Sequence, residues 1–153
     1  MIIRKAGIGD LDSIMEGARQ FVGTLSGESS GLEFNDDGAI PFFTMMVQSP
    51  MFVVFVAEQD GIILGAIGAS AMPWFCNKSQ FTVEEMFWWV FPEYRGGTAG
   101  IRLHKRLEEY AKEMGATSLY MSCADSTDNP VRLGKYYERK GYTKATTIYV
   151  RRL

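Results

Sequence analysis

Three things are scarce in this sequence, and each scarcity excludes a class of function. No run of Lys or Arg forms a patch, and 16 basic against 18 acidic side chains leave a net charge of -2. The electrostatic footprint of a nucleic-acid binder is therefore missing. No stretch approaches the ~18 consecutive apolar residues of a membrane helix, and "MIIRKAGIGD" lacks the apolar segment of a signal peptide. There is one histidine, His104, and there are two cysteines, Cys76 and Cys123, with no metal-ligand spacing among them. That argues against a Cys/His zinc site or any other metal centre, and for two reduced, buried thiols in a cytoplasmic protein.

What is present is an ordinary globular balance: 46% hydrophobic and 22% charged residues over 153 positions. That length suits one core. No repeat, low-complexity tract or Pro/Ser linker divides the chain, so residues 1–153 read as a single domain.

"MIIRK" alternates like a strand. "DLDSIMEGARQFVGTL" places Leu11, Ile14, Met15, Ala18, Phe21, Val22 and Leu25 on one helical face, with Asp10 as cap. "SGESSGLEFNDDG" reads as a polar loop carrying Glu28, Glu33, Asp36 and Asp37. "AIPFFTMMVQS" reads as a short helix with Pro41 in its first turn. "MFVVFVAEQDGIILGAIGASAMPW" is a hairpin turning at Asp60-Gly61. "FTVEEMFWWVF" is a fourth strand ended by Pro92. A helix follows from about Thr98 to Met114 with Leu103, Leu107, Ala111 and Met114 along one stripe, and His104 at its boundary.

"TSLYMSC" is a strand, "NPVRLGKYYERKG" a helix capped by Asn129, and "YTKATTIYVRRL" a closing strand. The order β-α-α-β-β-β-α-β-α-β implies a mixed α/β fold, α+β in character, with a central, mostly antiparallel sheet. The βαβ unit over residues 84 to 123 contributes one parallel pair.

The segment "VFPEYRGGTAG", residues 90 to 100, joins a strand to a helix through adjacent glycines and an arginine. A helix start presents unpaired N–H groups and the positive end of the helix dipole. Glycine lets an anion approach closely, and Arg95 supplies a charge-assisted donor. The turn suits a pyrophosphate, although a plain strand-to-helix connection uses the same residues.

This segment resembles the acyl-coenzyme A signature of the GCN5-related N-acetyltransferases, V-x-P-x-x-R/Q-x-x-G-x-G/A. The resemblance is carried by Val90, Pro92, Arg95, Gly96 and Gly100, with Thr98 where the family usually has glycine. "YYERKGY" is similar to the family's L-Y-E-K-x-G-F segment, with Tyr137 four residues before Gly141. The family's asparagine often lies seven residues before that tyrosine, whereas Asn129 lies eight before Tyr137 and seven before Tyr136.

The resemblance implies a sheet splayed at a cofactor cleft and acetyl-coenzyme A as cosubstrate. It implies pantetheine amides held by the backbone of Val90 and Phe91, and a pyrophosphate on Arg95, Gly96, Gly97, Thr98, Ala99 and Gly100. Asn129 and Tyr136 would be further cofactor contacts. The acceptor would be an amine, small molecule or peptide, and a homodimer is in keeping with the family.

Transfer to an amine needs the neutral base. For a lysine-like amine of pKa ~10.4, deprotonation at pH 7 costs roughly 4 to 5 kcal/mol. A carboxylate can take that proton and a tyrosine hydroxyl can protonate the departing thiolate. In the family an acid near the start of the fourth strand often serves as base, so Glu84 and Glu85 are the candidates. Simple alternation groups Glu84 with Met86, Trp88 and Val90, and Glu85 with Phe87, Trp89 and Phe91. Tyr137 is the candidate acid, and Tyr136 the alternative. No Cys/His pair suggests an acyl-enzyme, so direct attack in a ternary complex is expected. The competing expectation is a binding domain that keeps the fold and coenzyme A but not turnover. A Rossmann-type nucleotide domain fits poorly with one βαβ unit and an antiparallel sheet.

Overall fold

A computed structural model describes residues 1–25, 33–123, 130–149 and 151. The chain forms two compact units, one of Met1–Ala18 with Asn35–Ser122, the other of Arg19–Phe34 with Cys123–Leu153. The first unit holds a five-stranded sheet in the order β1-β2-β3-β4-β5. Its strands are β1 (Ile2–Lys5), β2 (Phe52–Gln59), β3 (Ile62–Trp74), β4 (Asn77–Val90) and β5 (Ser118–Tyr120). The first four pair antiparallel, and β5 lies parallel to β4.

The β2–β3 connection is the two-residue turn that Asp60-Gly61 announces. Both residues have positive φ, 54° and 80°, the conformation that matches the twist of a tight hairpin. Val53, Val54, Phe55, Val56 and Ala57 in β2 are all buried, so this strand is covered on both faces and reads as a continuous apolar run. One face is covered by α3 (Ala99–Glu113), which buries Leu103 and Leu107 against Val53, Phe55, Ile67, Ala69 and Val83. Full burial of each leucine contributes about 1.5–3 kcal/mol.

The other face carries α2 (Asp36–Gln48), whose Phe43 ring meets Phe87 edge-on at 5.6 Å. It also carries the first turns of α1 (Leu11–Leu25), where Gly17 lies against the Trp89 indole. A Cβ at Gly17 would stand 2.1 Å from that ring. Asp10 accepts from the Gly7 N–H at 2.9 Å and pairs with Arg4 at 2.7 Å, fixing the entry to α1.

In the second unit, α4 (Pro130–Arg139) buries Tyr137, whose ring neighbours Tyr136 and Tyr142 at 5.8 and 5.5 Å.

Several local expectations change. Asp36 and Asp37 belong to the first turn of α2, because Asn35 accepts from the Gly38 N–H at 3.2 Å and caps the helix earlier than Pro41 suggests. Pro41 therefore sits inside the helix. Residues 143–149 form no strand, and Ile148 and Tyr149 are exposed. Their β-rich composition describes fitness for a half-buried pleat, and among the described residues no ladder receives them.

β5 is three residues long rather than seven. Cys76, in the β3–β4 turn, and Cys123, beyond β5, are both exposed, not buried. Met114 falls past the last turn of α3 and is exposed. His104 is fully buried and stacked on Trp88 at 5.5 Å, so it is a core residue and not a boundary one. Glu28 and Asn129 lie outside the described residues, as does the side chain of Leu25.

Candidate functional site

The site grows from the two sides of β4. Toward β3 the strand is paired along its length, from Gly65↔Val90 to Trp74↔Asn77. Toward β5 it is paired only at Thr82, Val83 and Glu84. Beyond Glu84 that side of β4 has no strand partner among the described residues, which is the splay expected of the fold.

The direction of the backbone groups follows from one bond. Phe91 N–H donates to Leu64 O at 3.0 Å on the β3 side. In an antiparallel ladder the bonding side alternates residue by residue. The N–H and C=O of Val90 and of Trp88 therefore point to the open edge. Trp88 was not named among the expected backbone positions, although its place two residues before Val90 gives it the same bonding side. Phe91 is different from the expectation. Its N–H is spent on Leu64, and its C=O accepts from Tyr94 N–H at 2.9 Å.

The chain leaves β4 through a single 3-10 turn, Pro92–Tyr94, and reaches Gly96 with φ 85°. That conformation is costly for any residue with a Cβ. Arg95, Gly96, Gly97 and Thr98 are exposed, and Ala99 is buried at the start of α3. A Cβ built on Gly96 meets nothing within 4 Å, and one on Gly97 meets only Tyr94 O at 3.5 Å. Arg102 N–H to Thr98 O, 3.0 Å, is the first bond of α3. By helix geometry the amides of Ala99, Gly100 and Ile101 precede any intrahelical partner. Thr98 occupies the N-cap position but its side chain makes no capping bond. These open amides, beside a free space and an arginine, fit a diphosphate.

Glu84 and Glu85 do not open β4; they lie in the middle of it, because the strand starts at Asn77. Nor does simple alternation assign their faces. Ala69 pairs with Glu85 but Gly68 pairs with Phe87, so Met86 is an extra residue, a β-bulge. The bulge moves Glu85 to the face of Ala69 and Val83, the face of α3, where Trp88 and Val90 also pack. Glu84 falls on the opposite face beside Ser70 and Tyr120, exposed.

Glu85 is only 7% exposed. Its Oε2 accepts from Ser122 N–H at 2.9 Å, where the chain leaves β5. Burial pushes its carboxyl up to about 7; the Ser122 hydrogen bonds oppose this and the nearby Glu84 charge adds to it. A carboxyl of this kind takes or gives a proton near neutral pH. Ser122 carried no sequence signal, because its contact depends on where β5 ends.

Tyr137 and Tyr136 both lie on α4, the first buried and the second half-buried with Lys140 Nζ 6.0 Å from its ring centre. Among the described residues no group of three His, Cys, Asp or Glu could hold a metal ion. No helix among them is long and apolar enough to cross a membrane.

The profile of the acetyltransferase (GNAT) family matches residues 20–142. The chain belongs to that family. It is an N-acetyltransferase by membership. Solved structures of similar fold include an acetyltransferase from Agrobacterium tumefaciens, 18% identical with a TM-score of 0.77 over 100% of both chains. A ribosomal-protein-alanine N-acetyltransferase from Brucella melitensis is 16% identical with a TM-score of 0.74, again over 100% of both. AAC(6')-Iy in complex with a coenzyme A bisubstrate analogue is 17% identical, TM-score 0.76, covering 99% of this chain and 97% of that one. No curated protein matches in sequence.

Proposed function

We propose that this acetyltransferase moves an acetyl group from acetyl-coenzyme A to a primary amine by direct attack in a ternary complex, acting as a cytoplasmic enzyme. The observation that carries the reading is the open edge of β4 running directly into the glycine turn and the start of α3. Val90 and Trp88 offer backbone groups to a pantetheine arm as an added strand would use them. Arg95, Gly96, Gly97, Thr98, Ala99 and Gly100 receive the diphosphate. Phe91 is left out because both its backbone groups are bonded elsewhere.

Glu85 is the proposed base. Its carboxyl, held near 7 by burial, is matched to removing a proton from an alkylammonium at neutral pH, directly or through water. The buried Tyr137 is the proposed acid toward the departing thiolate, with Tyr136 beside it as a contact to the coenzyme. The N–H groups on the open edge can polarise the thioester carbonyl. Thr98 favours the second reading, a coenzyme A-binding domain without turnover, because it carries a Cβ where the family usually has glycine.

Thiol release from acetyl-coenzyme A across a panel of small amines and peptide N-termini separates the two. Acetylated product from at least one amine is expected. Coenzyme A binding with no product from any acceptor would assign the chain to the binding domain.

A further inference from the structure

On the face of the sheet that carries α2, the last paired row of the β4–β5 ladder brings together Ser70, Glu84 and Tyr120. Their strand neighbours Ala69, Ala71, Val83 and Leu119 pack on the α3 side, so alternation turns these three to the opposite face. Ser70 is 7% exposed, yet its hydroxyl makes no hydrogen bond among the described residues. A buried hydroxyl left without a partner is costly. Glu84 and Tyr120 are exposed, and neither side chain makes a hydrogen bond or ion pair among the described residues. The next row on this face, Met72, Thr82 and Ser118, carries no charge. A carboxylate, an acceptor hydroxyl and a tyrosine ring thus stand side by side, and all three suit a cationic donor.

The row also marks the root of the splay. Pairing of β4 with β5 ends at Glu84 among the described residues, and Glu85, the next residue, accepts from Ser122 N–H where the chain leaves β5. Two carboxylates therefore flank one opening, Glu84 on the α2 face and Glu85 on the α3 face. They are close enough that, beyond the burial that dominates, the Glu84 charge adds to the upward shift of the Glu85 carboxyl.

We propose that Glu84 is a specificity-determining residue that selects acceptors with a second cation, binding a distal ammonium while the reacting amine sits at Glu85. The proposal deepens the acetyl-transfer reading above and rests on it. The distal ammonium donates to the Glu84 carboxylate and to Ser70 Oγ, and the Tyr120 ring offers it a π face. A short diamine has one nitrogen to react and one to hold. The held nitrogen stays an ammonium and takes part in no bond making. It binds alike in the ground state and the transition state, so its effect falls on KM rather than kcat.

The test uses three acceptors that share one carbon chain. Butylamine ends in a methyl group, putrescine in a second ammonium, and γ-aminobutyrate in a carboxylate. In the wild type kcat/KM should rank putrescine first and γ-aminobutyrate last, with putrescine ahead of butylamine by about tenfold or more, the usual scale for a charged hydrogen bond. Glu84→Gln should erase that lead, chiefly through KM, and Glu84→Lys should put γ-aminobutyrate ahead of putrescine. Tyr120→Leu should reduce the lead by about two- to fivefold. Glu84 and Tyr120 are exposed, so the variants keep their fold, which far-UV dichroism checks.

Equal kcat/KM for the three acceptors, or a putrescine lead that survives Glu84→Gln, would overturn the inference and leave the acetyl-transfer reading intact. If none of the three is acetylated, putrescine binding decides. The ring resonances of Tyr120, assigned by their loss in Tyr120→Leu, should shift when putrescine is added to the wild type and not when it is added to Glu84→Gln. That result would keep the cation site while the transfer reading fell, and resonances indifferent to putrescine in the wild type would overturn the proposal.

Discussion

The two sides of β4 use the same backbone for opposite ends. The side toward β3 is closed by a long ladder, and on the face beside it the aromatic rings of the strand are fitted against glycines of β3 and α1. Phe87 packs over Gly68, where a Cβ would stand 2.3 Å from the ring, and Trp89 over Gly17. The side toward β5 is paired at three residues and, among the described residues, meets no strand beyond them, where the backbone groups of Trp88 and Val90 point. Between the halves sits the bulge at Met86, which turns Glu85 into the α3 face and leaves Glu84 exposed on the other. In the proposed reading the closed side carries stability and the open side carries binding, with Glu85 at their junction.

The largest expected effect is at that junction. Glu85→Gln should lower kcat by about 10²- to 10⁴-fold, the usual range for general-base catalysis. Glu84→Gln should change it by only about two- to threefold. The wild-type rate should fall as pH drops through about 7, because the base must be deprotonated, and the variant should lack that limb. Steady-state kinetics from pH 5.5 to 9 check this. The reverse ranking of the two glutamates would move the base to the exposed face.

Next comes the packed face of β4 beneath α1. Gly17→Val drives a side chain into the buried indole of Trp89 and should cost about 1–3 kcal/mol. Urea unfolding should show that loss, while the folded variant keeps its coenzyme A affinity.

A comparable shift of opposite sign is expected from Glu85→Gln in the same assay. The folded-state pKa of Glu85 is raised, so its penalty is absent below the unfolded value of 4.5 and grows as pH rises toward about 7. The variant should thus be more stable than wild type by on the order of 1–3 kcal/mol at pH 8 and equal to it near pH 4.5.

The smallest effect is at the cradle. Thr98→Gly removes a Cβ without removing a capping bond. It should tighten coenzyme A by about two- to fivefold and change stability by only a few tenths of a kcal/mol.

Much of this arrangement was legible in the residues. Asp60-Gly61 announced its turn, and "VFPEYRGGTAG" announced the step from β4 through the glycine turn into α3. What escaped was what depends on partners. A bulge adds one residue to a period of two, so the faces of Glu84 and Glu85 were assigned as if β4 were regular. The bulge is defined by the pairing of Ala69 with Glu85 and of Gly68 with Phe87, which no single strand encodes. His104 sits one position off an apolar stripe, and only the Trp88 ring above it makes that position core. The closing segment has strand composition, but no composition names the ladder it would join. Ser122 reaches Glu85 only because β5 stops after three residues. Local signals of turn and cap were carried by single residues; pairing between segments was not.

The central claim is that the open edge of β4 and the first amides of α3 form one ligand site. Amide hydrogen exchange with and without saturating coenzyme A tests it residue by residue. The amides of Trp88, Val90, Ala99, Gly100 and Ile101 should slow markedly on addition of the coenzyme, while those already bonded to β3, such as Phe91, should not change. Protection that appears elsewhere and leaves Val90 and the start of α3 unaffected would contradict the account.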